Sequence, residues 1–417
     1  MLVFKFGGAS VKDSKGVKNL LNIVKDYTDN LIIVISALGK TTNALEEILK
    51  TSIEDLNKSY SKYEDLKSYH LELVKELFPN ENDKIYKDIK EEFDNLKKEL
   101  NNKTYSSYDK KYDQVVSFGE ILSTKIVSAF LNSQQLSNSW VDIRKVFITD
   151  DVFREASIDF EKTSINAESV FNFKNQTIYL TQGFIGATND GFVTTLGREG
   201  SDYTAAALAN VLNADKVIVW KDVDGILNAD PQYFQDTEKL DKISYQEAVE
   251  LAYFGAKVIH PKTLKPLHNK NIPLFVRSFI KPEGSGTEID CFKKYDQNLP
   301  IFILKKDQML ISLFPKDLSF VFEDELSKIF KYLSEHRIRV NLIQNSAISI
   351  SLCIDNSNSK SKQLIERFKE DYKVLYNDQL ELLTIRHYSE DAIQKVTKGK
   401  KIYIEQRSRH TAHFVIK

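Results

Sequence analysis

The sequence predicts an α/β fold over its first two thirds, with a mainly parallel central sheet between helix layers. An α+β, ferredoxin-like region is predicted after residue 300. Three observations carry this prediction. Short apolar runs alternate with amphipathic stretches up to about residue 290. Fourteen of the 15 glycines lie at or before Gly286, so the tight turns and close backbone approaches belong to that part of the chain. Beyond residue 300 the pattern becomes strand, helix, strand, strand, helix, strand.

Leu2–Phe6 reads as a strand, Ser14–Tyr27 as a helix, and Leu31–Ser36 as a continuous apolar strand of the kind buried on both faces. Between Gly39 and Gly119 there is no glycine and only one proline, Pro79. Runs such as Leu71–Leu77 and Ile85–Leu100 set apolar residues at helical spacing among charges, which predicts a helical insertion over about residues 44–112. Helices follow at Ile121–Leu131, Tyr203–Leu212 and Tyr245–Phe254. Strands are expected at Trp140–Ile143, Thr177–Thr181, Gly191–Thr195, Lys216–Lys221 and Pro273–Arg277. Turn residues over 281–287 and 298–300 close a first domain, 1–290. In a second domain, 300–388, Met309–Phe314, Arg339–Ile343, Ser346–Ile354 and Gln379–Arg386 read as strands, with helices at Glu323–His336 and Ser361–Glu370. Residues 389–417 read as a truncated repeat of that unit, a helix and two strands.

Composition excludes several classes of function. With 58 basic and 59 acidic side chains the formal charge is −1, which gives no reason to expect nucleic acid or an anionic membrane as partner. The longest conspicuous apolar run, Leu31–Leu38, falls short of the ~20 residues that span a bilayer, and the first residues do not form a signal peptide. Cys291 and Cys353 alone exclude a disulfide framework and a thiolate zinc site, and the 7 histidines show no metal-ligand spacing. A cytoplasmic globular enzyme with no protein metal site is expected.

Ligands of such sheets sit outside the carboxyl ends of the strands, so the loops there carry the chemistry. Lys5-Phe-Gly7-Gly8-Ala9-Ser10 is either an anion cradle of backbone N–H groups with an ammonium beside it, or a plain tight turn. It matches neither standard nucleotide fingerprint. Ser36, Thr41 and Thr42 stand before a helix, where hydroxyls usually cap. Glu120 opens another helix; it either balances the helix dipole or pairs with a substrate ammonium. The segment Thr194–Asp202 is denser, with Gly197, Arg198, Gly200, Ser201 and Asp202 leading into an alanine-rich helix. A turn alone does not need these residues together, and Arg198 offers a fork suited to a carboxylate or phosphate. Lys221, Asp222 and Gly225 follow the next strand. Asp230-Pro231 reads as a turn and His260 as a structural histidine.

Taken together, the strings KFGGAS, SALGKTTNAL, SFGE, TQGFIGA, TTLGREGSDYTAA, KDVDGI and SYQEAVELAYFGAKVIHPKT resemble aspartate kinase of the amino-acid kinase superfamily. RVNLIQNSAISISLCID resembles an ACT regulatory module. The resemblance implies the three-layer amino-acid kinase fold and transfer of the ATP γ-phosphoryl group to the β-carboxylate of L-aspartate. That reaction opens lysine, threonine and methionine biosynthesis. The resemblance assigns catalytic roles to Lys5, Asp202 and Lys257, with Asp202 holding both lysines. It assigns ATP to Lys5, Gly7, Gly8, Ala9, Lys221, Asp222, Lys257 and Val258, and aspartate to Ser36, Thr42, Glu120, Arg198, Ser201 and Asp202. Mg²⁺ would be bound through the nucleotide, with no prosthetic group, and a homodimer or larger homo-oligomer would form.

This chain also departs from the family pattern. Phe118 stands where histidine is usual, Lys221 replaces threonine, Leu227 tyrosine and Gln232 arginine, and Glu199 adds a negative charge beside Arg198. The last third has Pro315-Lys-Asp-Leu-Ser319 in place of a glycine-containing effector loop, which argues against feedback by lysine or threonine. The chain's length argues against an appended dehydrogenase. A sister kinase for acetylglutamate, glutamate or uridylate, and a non-catalytic amino-acid sensor, are the alternatives; the retained cations oppose the sensor.

Overall fold

In a computed structural model, the described residues are 1–256, 259–292, 299–317, 320, 321 and 323–417, with Asn358 described by its backbone only. They fall into two compact units. One comprises residues 1–226, 239–249 and 258–295; the other comprises 227–238, 250–257 and 296–417.

The first unit is built on an eight-stranded sheet. Its order is Lys242–Ser244, Thr287–Asp290, Leu274–Ser278, Lys216–Lys221, Leu2–Phe6, Leu31–Ile35, Ile178–Gln182 and Ser139–Val141. Leu274–Ser278 and Thr287–Asp290 run antiparallel, and the remaining pairs are parallel. Leu2–Phe6 and Leu31–Ile35 are buried along their whole length, as unbroken apolar runs must be when helices cover both faces. The register aligns Phe6 with Ile35 and with Trp220, and Ile35 with Gln182. The loops after residues 6, 35, 182 and 221 therefore leave the same carboxyl edge.

The insertion forms helices Thr41–Glu54, Leu56–Leu77, Lys84–Asn101 and Tyr108–Val116. Their apolar stripes, for example Ile85, Ile89, Phe93, Leu96 and Leu100, join the core that holds Phe4, Phe6 and Ile33. His70 lies in that core. Its Nδ1 sits 2.8 Å from the Leu66 carbonyl oxygen, which fixes Nδ1 as the donor, while Nε2 is buried without a partner. Burial pulls the imidazole down to about 4 from an ordinary 6.5. The unfolded chain thus takes up a proton below 6.5 that the folded chain refuses until about 4. Stability present at neutral pH is lost as pH falls through that window. An NMR titration of the ring carbons should show His70 neutral to about pH 4, and His70→Leu should flatten the loss of Tm between pH 6.5 and 4.

Several elements differ from the sequence expectation. Helices Phe160–Val170 and Pro261–His268 and strands Ile148–Thr149 and Ile185–Thr188 are additional; the two strands form a small sheet with Val193–Thr195, which lies within the strand expected at Gly191–Thr195. Strands of two to four residues are too short for periodicity to register. The helical run Tyr108–Ser133 is long and apolar enough by composition to span a bilayer. It is a core helix, with 83% of its most apolar window buried.

The second unit carries a six-stranded antiparallel sheet, in the order Val340–Ser346, Ser349–Asp355, Ile301–Pro315, Tyr372–Arg386, Thr411–Ile416 and Ile402–Arg407. The two central strands have 15 residues each, longer than read from sequence. Their pairing shifts register between Lys305 and Leu310. Met309, Ile311 and Leu313 pack with helix Glu323–Glu335 and with Leu364, Ile365 and Phe368 of Asn358–Asp371. Leu383 and Ile385 pack with Ile393 of helix Glu390–Thr397. Residues 389–417 form the expected helix and two strands, and Thr411–Ile416 joins the same sheet by pairing with the far half of Tyr372–Arg386. A bulge breaks the alternation that would reveal one long strand. Leu318 and Ser319 of the Pro315–Ser319 segment lie outside the described residues.

Candidate active site

Lys5 is the penultimate residue of its strand, and its ammonium curls back beneath the following turn. A Cβ built on Gly7 would lie 3.5 Å from Lys5 Nζ. Gly8 has no room for a side chain, since a Cβ there would meet the Ala37 carbonyl oxygen at 2.4 Å. The Gly39 N–H donates to the Gly8 carbonyl at 2.9 Å, so the loops after the first two strands are stitched together backbone to backbone. Ala9 at the tip is exposed.

Helix Gly200–Val211 starts opposite this turn, after Glu199, which sits in the left-handed region at φ 53° and whose side chain makes no capping hydrogen bond. Its first turn approaches the loop after Gln182 so closely that a Cβ on Gly183 would lie 2.4 Å from Ser201 Cβ. That approach buries Ser201 and Asp202 at the strand ends. Asp202 Oδ1 lies 2.6 Å from Lys5 Nζ, and Asp202 Oδ2 lies 3.5 Å from Lys221 Nζ. Burial works to raise the Asp202 pKa, and the two ammoniums outweigh it, holding the carboxyl below its ordinary value. One carboxylate between two lysines leaves a net positive charge beside a turn of backbone N–H groups, a site for a polyanion.

The resemblance paired Asp202 with Lys5 and Lys257. Among the described residues Lys221 also reaches Asp202, because the register that sets Lys5 beside Val219 brings the end of the neighbouring strand to the same helix. Lys257 and Val258 lie outside the described residues. Asp222, one residue on, is exposed.

Glu120 occupies the first turn of helix Phe118–Ser133 and is buried. Its Oε1 accepts the Ala37 N–H at 3.3 Å, and Oε2 is buried without a partner. Burial pushes its carboxyl up to about 8, against the weaker pull of the Ala37 N–H. A desolvated carboxyl with a bare oxygen suits an incoming cation. No local pattern marks the Ala37 N–H, a backbone group from another loop. Ser36 and Thr42 flank that loop and are half-buried, while Arg198 is exposed on the loop that Gly197 turns at φ 78°. Ser36, Thr42, Glu120, Arg198, Ser201 and Asp202 thus all belong to the first unit. Leu227 and Gln232 belong to the second, where Asp230 Oδ1 accepts the Gln232 N–H at 2.9 Å in a tight turn. His260 Nδ1 accepts the Lys262 N–H and caps helix Pro261–His268, a structural role.

The model of the amino acid kinase family matches residues 1–278. Lysine-sensitive aspartokinase 3 of Escherichia coli is 34% identical over 366 residues, covering 87% of this chain and 80% of its own length. The chain belongs to the amino acid kinase family, in its aspartokinase branch. It is a kinase-family enzyme with a mainly parallel α/β unit and an antiparallel C-terminal unit consistent with an ACT-like region. Among solved structures it is similar to E. coli aspartokinase III in complex with lysine and aspartate (T-state). That similarity has a TM-score of 0.85 and 28% identity, covering 100% of this chain and 95% of the other. The complex of the same enzyme with aspartate and ADP (R-state) gives a TM-score of 0.82 at 29% identity, covering 100% and 96%.

Proposed function

We propose that this aspartokinase-family chain transfers the γ-phosphoryl group of ATP to the β-carboxylate of L-aspartate, giving 4-phospho-L-aspartate and ADP. The reading rests on one observation above all. Two ammoniums share a single buried carboxylate beside a glycine turn at the carboxyl edge of the sheet. In the reaction a β-carboxylate oxygen bonds to the γ-phosphorus as the bond to the bridging oxygen of ADP breaks. The nucleophile is already ionised at neutral pH, so no base is needed; the obstacle is repulsion between anions. Lys5 and the N–H groups of Gly7, Gly8 and Ala9 would neutralise phosphoryl oxygens as charge shifts toward ADP. Asp202 would anchor Lys5 and Lys221 rather than take a proton.

Glu120 would receive the substrate ammonium on its bare oxygen, and Arg198 the α-carboxylate, with Ser36, Thr42 and Ser201 as neutral donors. Lys257, Val258 and Asp222 complete the nucleotide side in this reading. Among the described residues there is no cluster of three or more His, Cys, Asp or Glu side chains suited to an ion. The basic character around Asp202 fits Mg²⁺ arriving on the nucleotide, held by phosphate oxygens and water. When bound, the ion would supply further neutralisation of the phosphates.

Lys221 would partly replace the cation that Gln232 lacks. Lys221→Thr should raise the KM for ATP roughly tenfold, leaving the KM for aspartate near normal. Unchanged nucleotide affinity would reduce Lys221 to a partner of Asp202. The function itself is tested by ADP release against a panel of acids. Turnover with L-aspartate supports the reading; turnover only with glutamate, acetylglutamate or UMP overturns it. Adding lysine and threonine to the same assay tests an amino-acid effector, and light scattering tests the homo-oligomer.

A further inference from the structure

We propose that Asp113 is a positioning residue for the aspartate pocket: it ties the segment carrying Arg198 to the helix carrying Glu120. The inference rests on the aspartokinase reading and extends it. In the sequence Asp113 follows directly on a charged stretch, Tyr108-Asp-Lys-Lys-Tyr112. In the structure its side chain is fully buried. Helix Tyr108–Val116 runs through Ser117 directly into Phe118–Ser133. Asp113 and Glu120 are seven residues apart, and at 3.6 residues per turn that sets them on one face of a single rigid run.

All three hydrogen bonds to the Asp113 carboxylate come from outside this helix. Oδ2 accepts the N–H of Arg154 at 2.9 Å and the N–H of Thr195 at 2.8 Å, and Oδ1 accepts the Thr195 hydroxyl at 2.7 Å. The next residue reinforces the tie. The Gln114 side-chain amide donates to the Val193 carbonyl at 2.7 Å and accepts the Val193 N–H at 3.1 Å. Thr195 ends its strand three residues before Arg198.

The Arg154 segment is locked to the same turn. The Ala156 N–H donates to the Thr195 carbonyl at 3.0 Å, and a Cβ on Gly197 would lie 3.2 Å from the Arg154 carbonyl oxygen. Arg154 holds a left-handed φ of 71°, a conformation that needs support from its surroundings. The charged and titratable groups around this corner are the Arg154 guanidinium, Asp109 at 3.4 Å and Glu46 at 3.7 Å from it, and Tyr112, whose ring lies 4.2 Å beneath it. None of them hydrogen-bonds the Asp113 carboxylate. The spacing between the group that would take the substrate ammonium and the group that would take its α-carboxylate is therefore set through Asp113.

The test is steady-state kinetics with both substrates varied, on Asp113→Ala, Asp113→Asn and Thr195→Val. An amide at position 113 can offer its oxygen to both N–H groups and its NH₂ to the Thr195 hydroxyl, so Asp113→Asn keeps the tie without the charge. Asp113→Ala should raise the KM for aspartate roughly tenfold or more, with kcat per folded enzyme and the KM for ATP close to wild type. Thr195→Val, which loses one bond of three, should give a smaller rise of the same kind, and Asp113→Asn should stay near wild type. Thr195→Val and Asp113→Asn decide the matter if the alanine variant does not fold. Parallel changes in both KM values, or none, would overturn the positioning role and leave the aspartokinase reading intact. A wild-type chain with no aspartate-dependent ADP release would overturn both.

Discussion

Lys5→Ala lowers kcat by roughly 10²–10³-fold, the loss expected when a preorganised charge aimed at the transferring group is removed. Its effect on stability is smaller than that of removing Asp202, and the ion-pair geometry explains why. The Lys5 and Asp202 side chains are 11% and 3% exposed, and breaking such a buried pair costs about 3–5 kcal/mol when one charge is left alone. In Lys5→Ala, Asp202 keeps Lys221 at 3.5 Å. In Asp202→Ala, the carboxylate shared by the two ammoniums is gone. Tm should therefore fall in the order wild type, Lys5→Ala, Asp202→Ala. The double variant Lys5→Ala/Asp202→Ala should recover stability relative to Asp202→Ala without recovering turnover. Thermal melts alongside initial rates check both orders. Near-normal kcat in Lys5→Ala would remove Lys5 from the phosphoryl site.

Glu120→Gln is expected to raise the KM for aspartate roughly hundredfold, because a buried charged partner of the substrate ammonium is lost. The same substitution should stabilise the free protein at alkaline pH. The folded pKa of about 8 exceeds the ordinary 4.5, so the folded chain binds more protons across that interval. The stability contribution of Glu120 therefore falls as pH rises through the window. Glutamine removes this cost, and the variant should melt above wild type at pH 8 and beyond. The wild-type KM for aspartate should fall as pH rises toward 8, as Glu120 ionises, and the variant should show no such slope. An identical pH profile in the two proteins would place the ammonium elsewhere.

How much of this was legible in sequence depends on the range of the interaction. The turn at Lys5, Gly7 and Gly8 follows a fully apolar strand, and adjacent residues sufficed to mark it. The pairing of Asp202 with Lys221 depends on the register of two strands more than two hundred residues apart, which no local pattern encodes. Asp113 was hidden differently. Its neighbours Asp109, Lys110 and Lys111 are charged, and the three bonds to its carboxylate come from residues 154 and 195, more than forty positions away. In the C-terminal unit, the register shift between Lys305 and Leu310 split one strand into apparent strand and linker.

The measurement that bears most directly on the central claim is trapping of the product with hydroxylamine in a reaction containing ATP, Mg²⁺ and L-aspartate. The account predicts aspartate β-hydroxamate formed in step with ADP, with both products lost together in Lys5→Ala. ADP released without hydroxamate, or hydroxamate formed at an undiminished rate by Lys5→Ala, would contradict it.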